Sequence, residues 1–303
     1  MTNSFWVLFT IVAAMGQTAR NAMQRDLTPR LGAAGATQVR FLFGFPFALI
    51  FLIGVTLWTR APLPQFSTGF DLWTILGAVT QVGGTALMLL TMERRSFVVT
   101  IAYLKTEPVL VALFGFLFLG DIVTWPMAGA IGVAMAGVML LSLKPGSDLL
   151  TPGWRPAALG LAAASLFGLS SIAYRGAILA LNNDMGGGNY VMGATFSLTC
   201  GLLLQTVILW PYLIVKRRDT LKAILRLWRP SLMAGLAGAA ASEFWFLAFA
   251  LATAASVRTL ALIEIVFAQG VSRFVFKNKT TPRETVGIAV LIAGAIWLVR
   301  AQP

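Results

Sequence analysis

Histidine is absent from the 303 residues, and cysteine occurs once, at Cys200. The first absence removes a Ser-His-Asp triad, an HExxH zinc site and any histidine proton relay. The second removes a disulfide framework within the chain and a cysteine-rich metal site. No GxxxxGK[ST] stretch occurs, so a P-loop for ATP is missing too. Charge is scarce, at 11% Asp, Glu, Lys and Arg, against about 25% in a soluble domain. These absences leave no expected cofactor or metal, and the chain does not read as an enzyme.

What is present is apolar: 58% of residues, with a mean hydropathy of +0.81. Ten apolar stretches stand out, at Phe5–Met23, Thr37–Trp58, Leu72–Met92, Val98–Leu119, Trp125–Leu143, Ala157–Leu181, Tyr190–Val215, Ser231–Leu251, Ala255–Phe276 and Thr285–Val299. About 20 apolar residues cross the ~30 Å of a bilayer, so ten spans need roughly 200 and leave about 100 for connections. The connections are short and carry turn residues, as in Arg60-Ala-Pro-Leu-Pro64 and Lys144-Pro-Gly146. An all-α polytopic membrane protein with ten transmembrane helices follows. The first stretch is not read as a signal peptide, because it lacks a basic leader and runs on into Gln17, Arg20 and Asn21.

The net charge is +12, but its distribution speaks against nucleic acid. Lys and Arg crowd into the odd-numbered connections, 15 in all, while the even connections and the termini hold only Arg60 and Arg300. By the positive-inside rule the odd connections face the cytoplasm and both termini face outward. The stretch Lys216–Trp228 adds Leu221, Ile224, Leu225 and Leu227 to its basic residues. It reads either as a solvated loop or as a segment lying on the anionic leaflet.

The chain is also doubled. The connection at Lys144–Pro156 divides it into a first five-helix half, 1–146, and a second, 154–303. At an offset of 157, Glu107 falls on Glu264 and Ala136-Gly137 on Ala293-Gly294. Five crossings per half is an odd number, so the second half enters the membrane from the opposite side. Two inverted five-helix repeats result, an arrangement that transporters use to build a substrate site where the repeats meet.

Glu107-Pro108-Val-Leu-Val-Ala-Leu-Phe-Gly-Phe-Leu-Phe-Leu-Gly120-Asp121, then Gly129-Ala-Ile-Gly132 and Ala136-Gly137-Val-Met-Leu, resembles the signature of the drug/metabolite transporter superfamily, EamA type. Within it the chain looks most like the bacterial aromatic amino-acid exporter branch. The resemblance implies ten helices in two inverted repeats, a small-molecule substrate and residence in the bacterial inner membrane.

A charge at the bilayer centre costs about 2.5–3.5 kcal/mol on insertion scales, so such residues face a wet cavity or a partner. Arg20, Arg40, Arg175 and Arg258 lie near span ends, where they snorkel, pair within the protein or meet substrate. Lys105, Glu107, Glu243 and Glu264 lie deeper. Lys105 and Glu107 are about 200° apart on a continuous helix and would face different ways, whereas Thr100, Tyr103 and Glu107 share a face. Pro108 removes a backbone donor and frees a carbonyl near Leu104. Glu243 stands beside Phe244, Trp245 and Phe246, a set suited to an ammonium group and an apolar side chain. Gln17 and Gln81 are mid-span hydrogen-bonding groups, for the pathway or for helix packing.

The candidate substrate-binding residues are therefore Gln17, Gln81, Tyr103, Lys105, Glu107, Glu243, Trp245 and Glu264. The expected function is export of small metabolites, amino acids including aromatic ones, by alternating access, with a coupling proton carried on one of the glutamates. The excess of intramembrane Lys and Arg over acids keeps a second reading open, a carrier of nucleotide sugars or other phosphorylated metabolites. A membrane-embedded transferase is a third, disfavoured because no connection is long enough to build a catalytic head.

Overall fold

A computed structural model describes residues 5–94, 103–142, 154–184, 189–274 and 281–301. Among these residues the elements are helical and no strand occurs. We number them α1 (Phe5–Thr59), α2 (Thr68–Arg94), α3 (Glu107–Phe114), α4 (Trp125–Ser142), α5 (Trp154–Asp184), α6 (Tyr190–Lys216), α7 (Arg218–Arg226), α8 (Trp228–Leu251), α9 (Ala254–Leu260), α10 (Glu264–Phe274) and α11 (Pro282–Arg300). Five segments among the described residues are long and apolar enough to cross a bilayer: Gly35–Thr59, Ala158–Asp184, Tyr190–Lys216, Trp228–Leu251 and Pro282–Arg300. Of the other expected spans, the third and fifth are continuous helices over their described residues. The fourth and ninth are broken by turns, and the first carries Arg20. Large apolar side chains point outward, among them Leu57, Phe116, Ile122 and Trp125, which is 91% exposed. Such a surface belongs against lipid, with tryptophans near span ends as in an interfacial belt.

The chain packs as two compact units, each drawing on both sequence halves: residues 1–82 with 173–252, and 83–172 with 253–303. Packing thus partitions the chain differently from the division into 1–146 and 154–303, and residues 143–153 of the expected boundary lie outside the described residues.

In the first unit α1 is two helices joined at Gly32, whose φ of 67° and ψ of 169° leave the helical region. Glycine adopts that backbone without the clash a Cβ would bring. The connection expected between the first two stretches is therefore a kink rather than a loop. The amphipathic α7 is seated beside it. Ile224 is buried with Leu27, Leu31, Val39, Leu213 and Ala234, while Leu225 and the basic residues stay exposed. A second core joins Leu52, Phe70, Ala177, Leu181, Met192 and Phe196. Helix α1 lies close on α8, where a Cβ added at Gly16 would stand 3.1 Å from that of Ala241.

The second unit displays the 157-residue offset in its geometry. Helix α4 starts at Trp125 and α11 at Pro282. Each is preceded by a threonine whose hydroxyl accepts from the backbone three residues on: Met127 N to Thr124 at 3.4 Å, and Glu284 N to Thr281 at 3.3 Å. Such caps satisfy the otherwise orphaned donors of a first turn. At Thr281 the Glu284 carboxylate also accepts from the cap's own N–H at 2.7 Å, a capping box. The two helices then touch reciprocally. Gly137 lies on the backbone of Leu291, and Gly294 lies on the backbone of Ala134, its would-be Cβ 2.8 Å from the Ala134 Cα. Residues 134 and 291 are themselves offset mates, so residue i meets mate j and j meets mate i, the mark of a two-fold contact. Of the two small-residue stripes on α4, the one through Gly129 and Gly137 is used here, and Ala128, Gly132 and Ala136 are exposed.

Interior breaks match as well. A turn at Lys105–Thr106 precedes α3, and a 3-10 turn at Ala261–Ile263 precedes α10, so Glu107 and Glu264 each open a helix after a break. After α3 a π-helical turn, Gly115–Leu119, ends on Gly120 at φ 68°, a left-handed cap that glycine supplies.

Gly294→Val is expected to lower the unfolding midpoint of the detergent-solubilised protein, by the ~1–3 kcal/mol typical of overpacking. Gly132→Ala, with nothing within 4 Å of the added carbon, is expected to leave it unchanged.

Candidate functional site

Each unit contains a buried polar cluster built from helix-borne side chains. In the first unit Gln205, in the middle of α6, uses both protons of its amide: Nε2 donates to the Tyr174 hydroxyl at 2.6 Å and to the Gln81 carbonyl oxygen. The Tyr174 ring is 3% exposed and lies against Phe246, with centroids 4.9 Å apart. It fits because Gly77 and Gly201 lack side chains; a Cβ at either would approach the ring to about 3 Å. Nearby in sequence, Trp245 Nε1 donates to Gln17 Oε1 at 3.1 Å, tying α8 to α1.

Glu243, two residues before that tryptophan, has a different environment. Its Oε1 lies 2.5 Å from the Thr195 hydroxyl, and its Oε2 is buried with no hydrogen-bond partner. Among the described residues no Lys or Arg forms an ion pair with it.

Two arginines of this unit, Arg20 and Arg175, are held by partners inside it. Arg175 Nη1 donates to the Phe249 carbonyl at 2.7 Å and to that of Ala252, where the unpaired carbonyls at the end of α8 favour a cation. Arg20 is 6% exposed, donates to Asn21 Oδ1 at 2.8 Å, and lies with Arg40 along Gly238. Pairing within the protein, rather than snorkelling, is what Arg20 and Arg175 do.

In the second unit the charges neutralise one another. Arg258 on α9 grips Glu107 at the start of α3 with two parallel bonds, Nε to Oε1 at 2.7 Å and Nη2 to Oε2 at 2.6 Å. Ser171 on α5 adds a third bond to Oε1 at 3.3 Å. Lys105, in the turn before α3, pairs with Glu264 at the start of α10. Bidentate guanidinium–carboxylate pairs are the stronger kind of ionic contact and fix orientation as well as charge. Lys105 and Glu107 were expected to face different ways; both reach the α9–α10 segment, because the chain between them is a turn. Pro108 contributes to that turn, since it cannot donate to the Leu104 carbonyl. The Tyr103 ring packs over Gly160, where a Cβ would fall 2.7 Å from it. Thr100, grouped with Tyr103 and Glu107 from the sequence, lies outside the described residues.

Of the eight sequence candidates, Gln17, Gln81, Glu243 and Trp245 fall in the first unit, and Tyr103, Lys105, Glu107 and Glu264 in the second. Tyr174, Thr195, Gln205 and Ser171 were not singled out, although all four bond to or within these clusters. Gln205 carried the same mid-span amide signal as Gln17 and Gln81. Nothing in the spacing marked the hydroxyl groups, which resemble the many serines and threonines that bond to their own helix.

Comparison with known proteins agrees with this architecture. Residues 4–143 match the EamA-like transporter family. A solved crystal structure of a protein is similar at 13% identity over 97% of this chain and 96% of its own, with a TM-score of 0.73. At that identity the likeness concerns the fold alone. No curated protein matches by sequence. The chain is an all-α, multi-pass membrane protein, and its first half points to a membrane transporter of small molecules.

Tyr174→Phe is expected to destabilise the folded protein by about 0.6–1.7 kcal/mol, the range of interhelical hydrogen bonds in membranes. Unfolding in mixed micelles measures it.

Proposed function

We propose that the protein is a secondary transporter that exports small metabolites, amino acids including aromatic ones, by alternating access of two inverted five-helix repeats, 1–146 and 154–303. The observation that carries the reading is the matched interruption of the fourth and ninth stretches, each broken one residue or less before an intramembrane glutamate. Discontinuous helices at repeat-related positions are how transporters expose backbone and polar groups at mid-membrane depth. The reciprocal contact of α4 with α11 supports the inverted relation, and the match over residues 4–143 supports the transporter class.

The amino-acid class draws on the resemblance and on the chemistry of the first unit. Gln17, Gln81, Glu243 and Trp245 offer neutral donors and acceptors, one carboxyl and an indole, which suit a zwitterion with an apolar side chain. A phosphorylated substrate would need unspent cations. Lys105 and Arg258 are spent on Glu264 and Glu107, and Arg175 on carbonyls. In this reading Lys105, Glu107 and Glu264 hold the broken helices together, and Tyr103 packs beside them. The bacterial inner membrane, with odd connections cytoplasmic and both termini outside, completes the proposal.

Proteoliposomes preloaded with an unlabelled aromatic amino acid are expected to accumulate the labelled one by counterflow, above protein-free vesicles. Counterflow of a nucleotide sugar in its place would overturn the substrate class, and counterflow of neither would overturn the transporter.

A further inference from the structure

Three intramembrane glutamates were open to carrying a proton, and their surroundings separate them. Glu107 and Glu264 each have a cation in contact. Glu243 has one hydroxyl. Helix α8 carries no other ionisable residue between Arg229 and Leu251. From α6 the facing group is Thr195, with Tyr190 and Cys200 the nearest titratable residues, each five positions away. From α1 the charged groups on α8 are Arg20 and Arg40, whose stems lie along Gly238. The α5 segment of this unit brings Tyr174, hydrogen-bonded to Gln205, and Arg175, committed to the Phe249 and Ala252 carbonyls. The basic α7 lies at the Trp228 end of α8, fifteen residues or roughly 22 Å from Glu243 along the helix.

Counting protons at Thr195 decides the form of the acid. A hydroxyl has one proton to donate. Thr195 Oγ1 is 2.9 Å from the Val191 carbonyl and 2.5 Å from Glu243 Oε1. If Glu243 were ionised, the threonine proton would have to serve the carboxylate. That would leave the Val191 contact without a proton and a full negative charge in a span with Oε2 bare. If Glu243 is neutral, its O–H donates to Thr195, whose O–H donates to Val191. Both contacts are then used, and no uncompensated charge is buried, the situation membranes penalise most. A metal ion is a poor alternative occupant. Calcium or magnesium takes six or more oxygen ligands, and the described residues contain no group of three or more carboxylates, cysteines or histidines here.

We propose that Glu243 is the protein's proton-binding site, held neutral in this arrangement by donation to Thr195 and able to release its proton when that contact opens. The proposal deepens the transporter reading and rests on it for its use, since a carboxyl that loads and unloads inside a span is what coupling to a proton gradient requires.

Infrared difference spectroscopy of the purified protein in nanodiscs tests it without any transported substrate. Wild type is expected to show the carbonyl band of a protonated carboxylic acid at neutral pH, lost on alkaline titration and missing from Glu243→Gln. Thr195→Val is expected to shift that band upward as the acid loses its acceptor, which keeps the test informative if Glu243→Gln does not fold. In proteoliposomes, uptake driven by a pH gradient is expected to fall at least tenfold in Glu243→Gln. A band that persists unchanged in Glu243→Gln, or that is absent from wild type, overturns the proton site. Failed counterflow with the band present overturns the transporter reading and leaves the proton site standing.

Discussion

Charge inside hydrocarbon must be compensated by the protein, because neither water nor lipid tails will do it. That constraint orders the interior of this chain. In the second unit two carboxylates meet two cations, and in the first an arginine is spent on the carbonyl end of α8. A buried ion pair contributes little net stability compared with an apolar contact. Breaking one partner away, by contrast, leaves a bare charge and costs about 3–5 kcal/mol. The pairs thus act as constraints on geometry. They specify which helix ends meet, and they do so at the breaks, where regular backbone bonding offers no such guidance.

Those breaks and the contact of α4 with α11 share one arithmetic. Thr124 and Thr281 cap, Glu107 and Glu264 follow turns, and Gly137 and Gly294 admit each other's helices, all at the same offset. These positions correspond because each carries a backbone requirement, while most other side chains at that offset differ. A cap must accept a hydrogen bond, and a close crossing has no room for a Cβ. The partners of the glutamates are under a looser rule, since any cation within reach suffices. Lys105 lies two residues before the offset mate of Glu264, whereas Arg258 lies six before the mate of Glu107, and neither has a cationic counterpart in the other half.

This difference explains what could be read from residues alone. Helical class and the 157-residue offset that recurs in α4 and α11 are read from apolar length and spacing, which are one-dimensional quantities. The place of Glu107, Glu243 and Glu264 within apolar stretches is legible for the same reason. Their partners were not, because pairing depends on where a helix breaks. Treating the segment around Lys105 as continuous placed Lys105 and Glu107 on different faces, and a two-residue turn removed that separation. The kink at Gly32 was likewise read as a connection, since glycine and proline mark an interruption without saying whether the helix resumes at once. Gln205 is readable by its type; Tyr174 is not, since its place depends on Gly77 and Gly201 lying across from it.

The account turns on mutual neutralisation of the broken helices, and reversing one pair measures it most directly. Glu107→Arg and Arg258→Glu, each alone, place like charges in contact and are expected to abolish most monodisperse protein on detergent extraction. The combined exchange is expected to restore it well above either single variant. Single variants that extract as well as wild type, or an exchange no better than the worse of the two, would contradict the account.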